Sequence, residues 1–99
     1  MDVWTLGNWK VKAGREDEFA QAWQEFAGWT SQNQPGAGLA YLLQDTTDPQ
    51  KFVSFGPWES ADAVGAWRST PEFQTFLAKA RELCDEVQPH LLRQRAQVG

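Results

Sequence analysis

Two residues stand out as able to do chemistry: an Asn inside an aromatic β-type segment, and a Trp on the apolar face of a short helical one. Asn8 sits within Trp4-Thr5-Leu6-Gly7-Asn8-Trp9. Amides are depleted from strands, so one flanked by Leu6 and Trp9 calls for a partner. That partner is either a ligand oxygen with developing charge, or a structural group on a neighbouring element or edge. Trp67 shares a face with Ala61 and Val64. Its indole is a pocket wall or an orienting N–H donor on one reading, and core packing on the other. The large apolar residues that would line a pocket around this pair are Trp4, Trp23, Phe26, Tyr41, Phe73 and Leu77. Trp23, Phe26, Phe73 and Leu77 also lie on helical core stripes. Tyr41, the only Tyr, is either a donor to a substrate or cover for a subunit seam.

Other reactive residues point nowhere. Cys84 is the only cysteine, which excludes an internal disulfide and any multi-Cys metal site. It falls on the apolar stripe of an expected helix and reads as a small buried hydrophobe. His90, the only His, is expected on a different element, so no Cys–His pair forms. Trp58, in Gly-Pro-Trp-Glu-Ser, reads as a turn anchor. Arg93 and Arg95 alternate along one strand face, a pattern of solvated faces that also suits pairing with an anion. There are no paired carboxylates, no Gly-rich phosphate loop and no Ser/His/Asp set, and no metal is expected. The net charge of −4 with scattered basic residues argues against nucleic acid. No apolar run approaches the roughly eighteen residues of a membrane span. Met1-Asp2-Val3-Trp4 lacks the basic start and apolar stretch of a signal peptide, so a cytoplasmic location is expected.

The elements that must position these residues are legible from patterning. Ninety-nine residues make one domain, 1–99, and six Trp and six Phe offer much ring area for a core, a pocket or an interface. Residues 3–11 (VWTLGNWKV) are β-rich and end at the turn Lys12-Ala13-Gly14. Three acids, Glu16, Asp17 and Glu18, suit the positive end of a helix dipole. Phe19, Trp23, Phe26, Ala27 and Thr30 then give a helical stripe over about 15–32. Asn33-Gln34-Pro35-Gly36 stops it. Residues 39–44 and 51–55 read as a hairpin. Ser60 caps a short helix, and Thr70 caps another that begins at Pro71. Its stripe is Phe73, Phe76, Leu77, Ala80, Leu83, Cys84 and Val87, closed at Pro89, and residues 91–98 make the last strand. The order is β, α, β, β, α in two pieces, β. This is the α+β, ferredoxin-like βαββαβ arrangement: an antiparallel sheet with its helices on one face. The strands carry apolar residues of both parities, so the second face is expected to be covered by another subunit.

Three segments carry a family resemblance: Gly14-Arg15-Glu16-Asp17-Glu18-Phe19 through Trp23; Phe52-Val53-Ser54-Phe55-Gly56-Pro57-Trp58-Glu59-Ser60; and Ala66-Trp67-Arg68 through Pro71-Glu72-Phe73. They resemble the antibiotic biosynthesis monooxygenase (ABM) domain, over about residues 3–98. The resemblance implies a homodimer closing into a dimeric α+β barrel, with a pocket between sheet and helices in each subunit. It implies one of two chemistries. One branch oxidises anthrone-type or quinol-type polyketide substrates with O2 and no metal or flavin cofactor. The other degrades haem through an Asn, a Trp and an axial His. Asn8 and Trp67 match the first two of these, but no His stands near Phe76-Leu77, which disfavours haem. The expectation is a cofactor-independent monooxygenase of a small aromatic molecule, with Asn8 and Trp67 as catalytic candidates. The alternative is a non-catalytic dimeric ligand-binding or accessory protein of the same fold.

Overall fold

The computed structural model describes residues 1–99. Strand β1 (Val3–Val11) leads through a tight turn, where Gly14 takes the positive φ that L side chains resist, into helix α1 (Glu16–Asn33). The acids of its first turn stand where the helix dipole favours them. Strands β2 (Tyr41–Gln44) and β3 (Lys51–Trp58) form a hairpin. Helix α2 (Ala61–Arg68) is capped by the Ser60 hydroxyl, which accepts from the Ala63 amide. Helix α3 (Pro71–Leu83) is capped by Thr70, whose hydroxyl accepts from the Phe73 amide, with Pro71 at its first position. Strand β4 (Cys84–Arg93) closes the chain's regular structure. The sheet order is β2-β3-β1-β4, antiparallel throughout, so the α+β ferredoxin-like arrangement stands.

Several boundaries differ from expectation: β2 starts at Tyr41, and β4 ends at Arg93, which leaves Arg95 beyond the strand. Strand β3 continues through Gly56-Pro57-Trp58, so Trp58 is a buried strand residue and not a turn anchor. More consequentially, α3 ends at Leu83 and the last strand starts at Cys84, seven residues earlier than expected. Cys84 and His90 therefore share one strand. The physical reason is a β-bulge. Trp9 pairs with Val87 and Lys10 with Glu86, but Val11 pairs with Cys84, which leaves Asp85 as the extra residue. The bulge turns Cys84 and Val87, three residues apart, to the same inner side, and a spacing of three imitates a helix. Pro89 lies within β4 opposite Gly7; as an edge strand, β4 tolerates a residue without an amide proton.

Register assigns the faces. Val3, Thr5, Gly7, Trp9 and Val11 of β1 face the helices, with Phe52, Ser54, Gly56 and Trp58 of β3. Two buried clusters result. One joins Val11, Phe19, Phe52, Phe76, Ala80, Leu83 and Cys84; the other joins Val3, Trp58 and Val64. The outer face carries Trp4, Leu6 and Asn8 of β1, Val53 and Phe55 of β3, Tyr41 and Leu43 of β2, and Leu92 of β4. That face thus carries large apolar residues too, with Tyr41, Leu43 and Leu92 exposed on it, beside a polar end of Lys10, Lys51, Glu86 and Gln88.

Candidate functional site

Between the two core clusters the inner face of the sheet is floored by small residues. Thr5 pairs with Gly56 and Gly7 with Ser54, so four small residues adjoin across β1 and β3. The large residues stand at either end: Val3 and Trp58 on one side, Val11 and Phe52 on the other. Side chains of this size do not fill the space beneath α1 and α3. The result is a cavity of about 910 Å³, large enough for a planar polycyclic ligand.

Aromatic rings build the opposite wall. Phe26 of α1 stacks on Phe76 of α3 with centroids 4.5 Å apart and nearly parallel planes, and stacks on Trp67 of α2 at 5.7 Å. Phe73 meets Trp67 edge-on at 4.7 Å, and Trp67 lies 4.9 Å from Trp58. At the other end Trp9 packs on Phe19 at 5.2 Å and meets Phe76 edge-on at 5.9 Å. One run of rings thus joins the two core clusters around the cavity. Such contacts stabilise beyond the area they bury, by about 0.5–1.5 kcal/mol each.

The polar groups among these rings are paired in a repeated way. The Trp67 indole N–H donates to the Thr30 hydroxyl at 3.0 Å, and the Trp9 indole to the Ser54 hydroxyl at 3.0 Å. The Trp58 indole donates to Thr5 at 3.3 Å. Gly7 makes the second of these pairs possible: a Cβ there would stand 2.8 Å from the Trp9 indole nitrogen and 2.9 Å from the Ser54 oxygen. Arg68, Gln74 and Arg81 of the helices also line the cavity, and no Asp or Glu does. Neither arginine forms an ion pair; the two salt bridges of the chain join Glu18 to Arg15 and Lys79 on the helical surface. In a chain of net charge −4, this lining is locally cationic.

Five of the residues proposed from the sequence come together here: Trp67, Trp23, Phe26, Phe73 and Leu77 all line the cavity. Three do not. Asn8 is on the outer face, between Val53 of β3 and Gln88 of β4 and across the sheet from Trp67, and it is not among the lining residues. Trp4 is on the same outer face, lining a shallower cleft of about 620 Å³ with Phe55, Pro57 and Leu92, and donating to Gln94 at 2.8 Å. Tyr41 packs on Phe55 at 5.6 Å, also outside. The Trp67 N–H, for which orienting a ligand was one of the readings, is given to Thr30, and the ring stands in the cavity wall. Cys84 is a core residue as expected; burial first, and then the neighbouring Asp85 carboxylate, push its thiol up to about 11. No group of three or more His, Cys, Asp and Glu gathers with the geometry of a metal site. The sequence reading missed the floor of Thr5, Gly7, Ser54 and Gly56, because it sought large and strongly polar residues. The available signal was the alternation of β3, with Phe52 and Trp58 bracketing Ser54 and Gly56 on one face.

Similar folds are known. A mutant of SnoaB, a cofactor-independent oxygenase from Streptomyces nogalater, superposes with a TM-score of 0.90 at 22% identity, covering 98% of this chain and 96% of that one. A conserved protein from Methanosarcina mazei Go1 gives a TM-score of 0.86 at 14% identity, covering 96% and 94%. These likenesses establish the fold alone. An uncharacterised protein of Synechocystis sp. is 31% identical over 77 residues, 78% of this chain and 52% of that protein, so the chain spans about half the length of this curated relative. The profile of the family described as antibiotic biosynthesis monooxygenase matches residues 4–79, from β1 through most of α3. With the match running through the sheet floor and the aromatic wall alike, the chain belongs to the antibiotic biosynthesis monooxygenase family.

Proposed function

We propose that this chain is a cofactor-independent monooxygenase that oxidises a small hydroxylated aromatic substrate, an anthrone or quinol of polyketide type, with O2. The observation that carries the reading is the cavity itself: about 910 Å³, walled by Trp9, Trp67, Phe26, Phe73 and Phe76, with hydroxyls on its floor and α1 wall and no carboxylate. Stacked rings suit a flat polycycle, and the absence of fixed negative charge suits a ligand that must become an anion.

For an anthrone the balance is simple. The acidic methylene loses a proton to water at the open rim, leaving an electron-rich enolate. That anion passes one electron to O2, and the two radicals combine into a carbon-bound peroxide. Loss of the second hydrogen with cleavage of the O–O bond gives the quinone carbonyl. One oxygen atom stays in the product and the other leaves as water, carrying both hydrogens. The protein's part is to orient the ring, exclude bulk water from the radical pair and stabilise the anion. Asn8, on the outer face of the sheet, is assigned no part in this reading.

We also assign the outer face to a second copy of the chain, sheet against sheet, in the manner the family resemblance implies. The apolar outer residues Tyr41, Leu43 and Leu92 support that assignment. The test of the catalytic reading is O2 consumption by chelator-treated protein offered dithranol, a hydroxylated anthrone, and a panel of hydroquinones. Uptake well above the buffer rate supports it. Tight binding of danthron, the matching anthraquinone, without uptake on any of the panel replaces it with the ligand-binding alternative.

A further inference from the structure

The hydroxyls of Thr30 and Ser54 have an unused proton each. A hydroxyl offers one donor and two acceptor positions. Each oxygen here accepts from an indole at 3.0 Å, and neither donates to any protein group. Both residues are nine-tenths buried or more, at 7% and 9% exposure, so bulk water does not readily take the place of an acceptor. Elsewhere in the chain, Ser31 donates to the Gly28 carbonyl, Ser69 to Gly65 and Thr70 to Trp67, while the exposed hydroxyls of Ser60 and Thr75, which solvent can reach, donate to no protein group. That back-donation is the usual habit of a hydroxyl on a helix, and Thr30, on the same helix as Ser31, departs from it. Both residues line the cavity, one from α1 and one from the sheet.

From this geometry, and resting on the reading of the cavity as a site for hydroxylated aromatics, we infer that Thr30 and Ser54 are the donors that hold the ligand's oxygens. Trp67 and Trp9 act through them as positioning residues. An indole N–H fixed on one lone pair restricts how the hydroxyl turns, and it polarises the O–H so that the proton beyond it is a stronger donor. Two preorganised donors then meet the phenolic or enolic oxygens of a flat ring system on opposite walls. Each donor stabilises the anion more than the neutral form, which is what formation of the enolate requires. Gly7 belongs to the same device, since the Trp9–Ser54 pair needs the space where its Cβ would be.

The experiment uses danthron as the probe, its affinity read from quenching of tryptophan fluorescence and its ionisation on the protein from its visible absorbance. Thr30→Val and Ser54→Ala each remove a donor with little change of shape. Each is expected to weaken danthron binding roughly tenfold, the value of one hydrogen bond to a polar ligand group. Each is also expected to raise the pKa of bound danthron by about one unit relative to wild type. Thr30→Ser restores the hydroxyl and is expected to restore both readouts, which separates donation from packing or misfolding. Unchanged affinity and ionisation in both variants overturn the assignment, as does a Thr30→Ser protein that fails as Thr30→Val does, or a wild-type protein that does not bind danthron. O2 uptake by the same protein variants offered dithranol in place of danthron keeps the two readings apart. Donor-dependent binding without uptake upholds Thr30 and Ser54 and removes the monooxygenase reading alone.

Discussion

At Gly7 the chain has no freedom to carry a side chain. The nearest neighbours of a Cβ would be the Trp9 indole at 2.8 Å and the Ser54 hydroxyl at 2.9 Å, and both are held in place by their mutual hydrogen bond. Gly7→Ala is therefore expected to cost about 1–3 kcal/mol in chemical denaturation, as overpacking does, and to lower danthron affinity by tilting the indole. A fully stable variant with wild-type affinity would mean the cavity floor is more pliable than its contacts imply. Cys84 makes a different kind of prediction. Its thiol is neutral in both folded and unfolded chains at neutral pH. Because the folded value is raised from 9.0 to about 11, the unfolded chain ionises first as pH rises, and stability is lost across that window. The stability gap between wild type and Cys84→Ala should narrow from about pH 9 to about pH 11, and a thiol reagent should leave the folded protein unmodified at pH 8. Of the large apolar residues singled out in the sequence, Trp23, Phe26, Trp67, Phe73 and Leu77 line the cavity, because each lies on the inward stripe of a helix. Asn8 was misplaced because Trp4 and Leu6 on one parity of β1 are as apolar as Val3 and Val11 on the other. Alternation alone does not say which face the helices cover.

Among the elements, the junction of α2 and α3 matters most to the site, because it places Trp67 and Phe73 at 4.7 Å. Thr70 makes that junction twice over. Its hydroxyl accepts from the Phe73 amide at 3.1 Å and donates to the Trp67 carbonyl at 2.7 Å, capping one helix while finishing the other. Thr70→Ala should lose about 1–2 kcal/mol in thermal or chemical unfolding, whereas Thr70→Ser should keep most of it. A loss of only a few tenths would show that packing alone fixes the corner. The caps at Ser60 and Thr70, the turn at Gly14 and the amphipathic stripes of α1 and α2 are legible, because each rests on local chemistry that the residues spell out, whereas Gly56-Pro57-Trp58 imitates a turn and is strand. The α3–β4 boundary is not legible either. Deciding that Cys84 and Val87 share a strand face requires knowing that Asp85 bulges opposite the Lys10–Val11 step, and a bulge depends on the partner strand.

On the scale of the whole molecule, the unusual feature is a sheet that carries large apolar residues on both sides in a chain this short. A solvated outer face would expose Tyr41, Leu43 and Leu92 together with the half-buried Trp4 and Phe55. A second chain laid on that face would remove them from water, so the purified protein is expected to sediment with the mass of two chains. Leu43→Asp combined with Leu92→Asp places charges in the buried seam and should yield a single-chain species, since an unpaired charge there costs several kcal/mol. A wild-type protein that sediments as one chain at micromolar concentration would contradict the assignment. The face was flagged by sequence, through the mixed parity of the strands; the cavity between the two core clusters was not, because it comes from what the floor residues lack. The chemistry proposed for that cavity is tested most directly by following the oxygen atoms themselves. Chelator-treated protein is given dithranol under O2 enriched in the heavy isotope, and the anthraquinone is weighed by mass spectrometry. One labelled atom per product is expected, at the new carbonyl, with one O2 consumed per product and a rate that Thr30→Val and Ser54→Ala both reduce. Product without the label, or formed no faster than in buffer, would contradict the proposed chemistry.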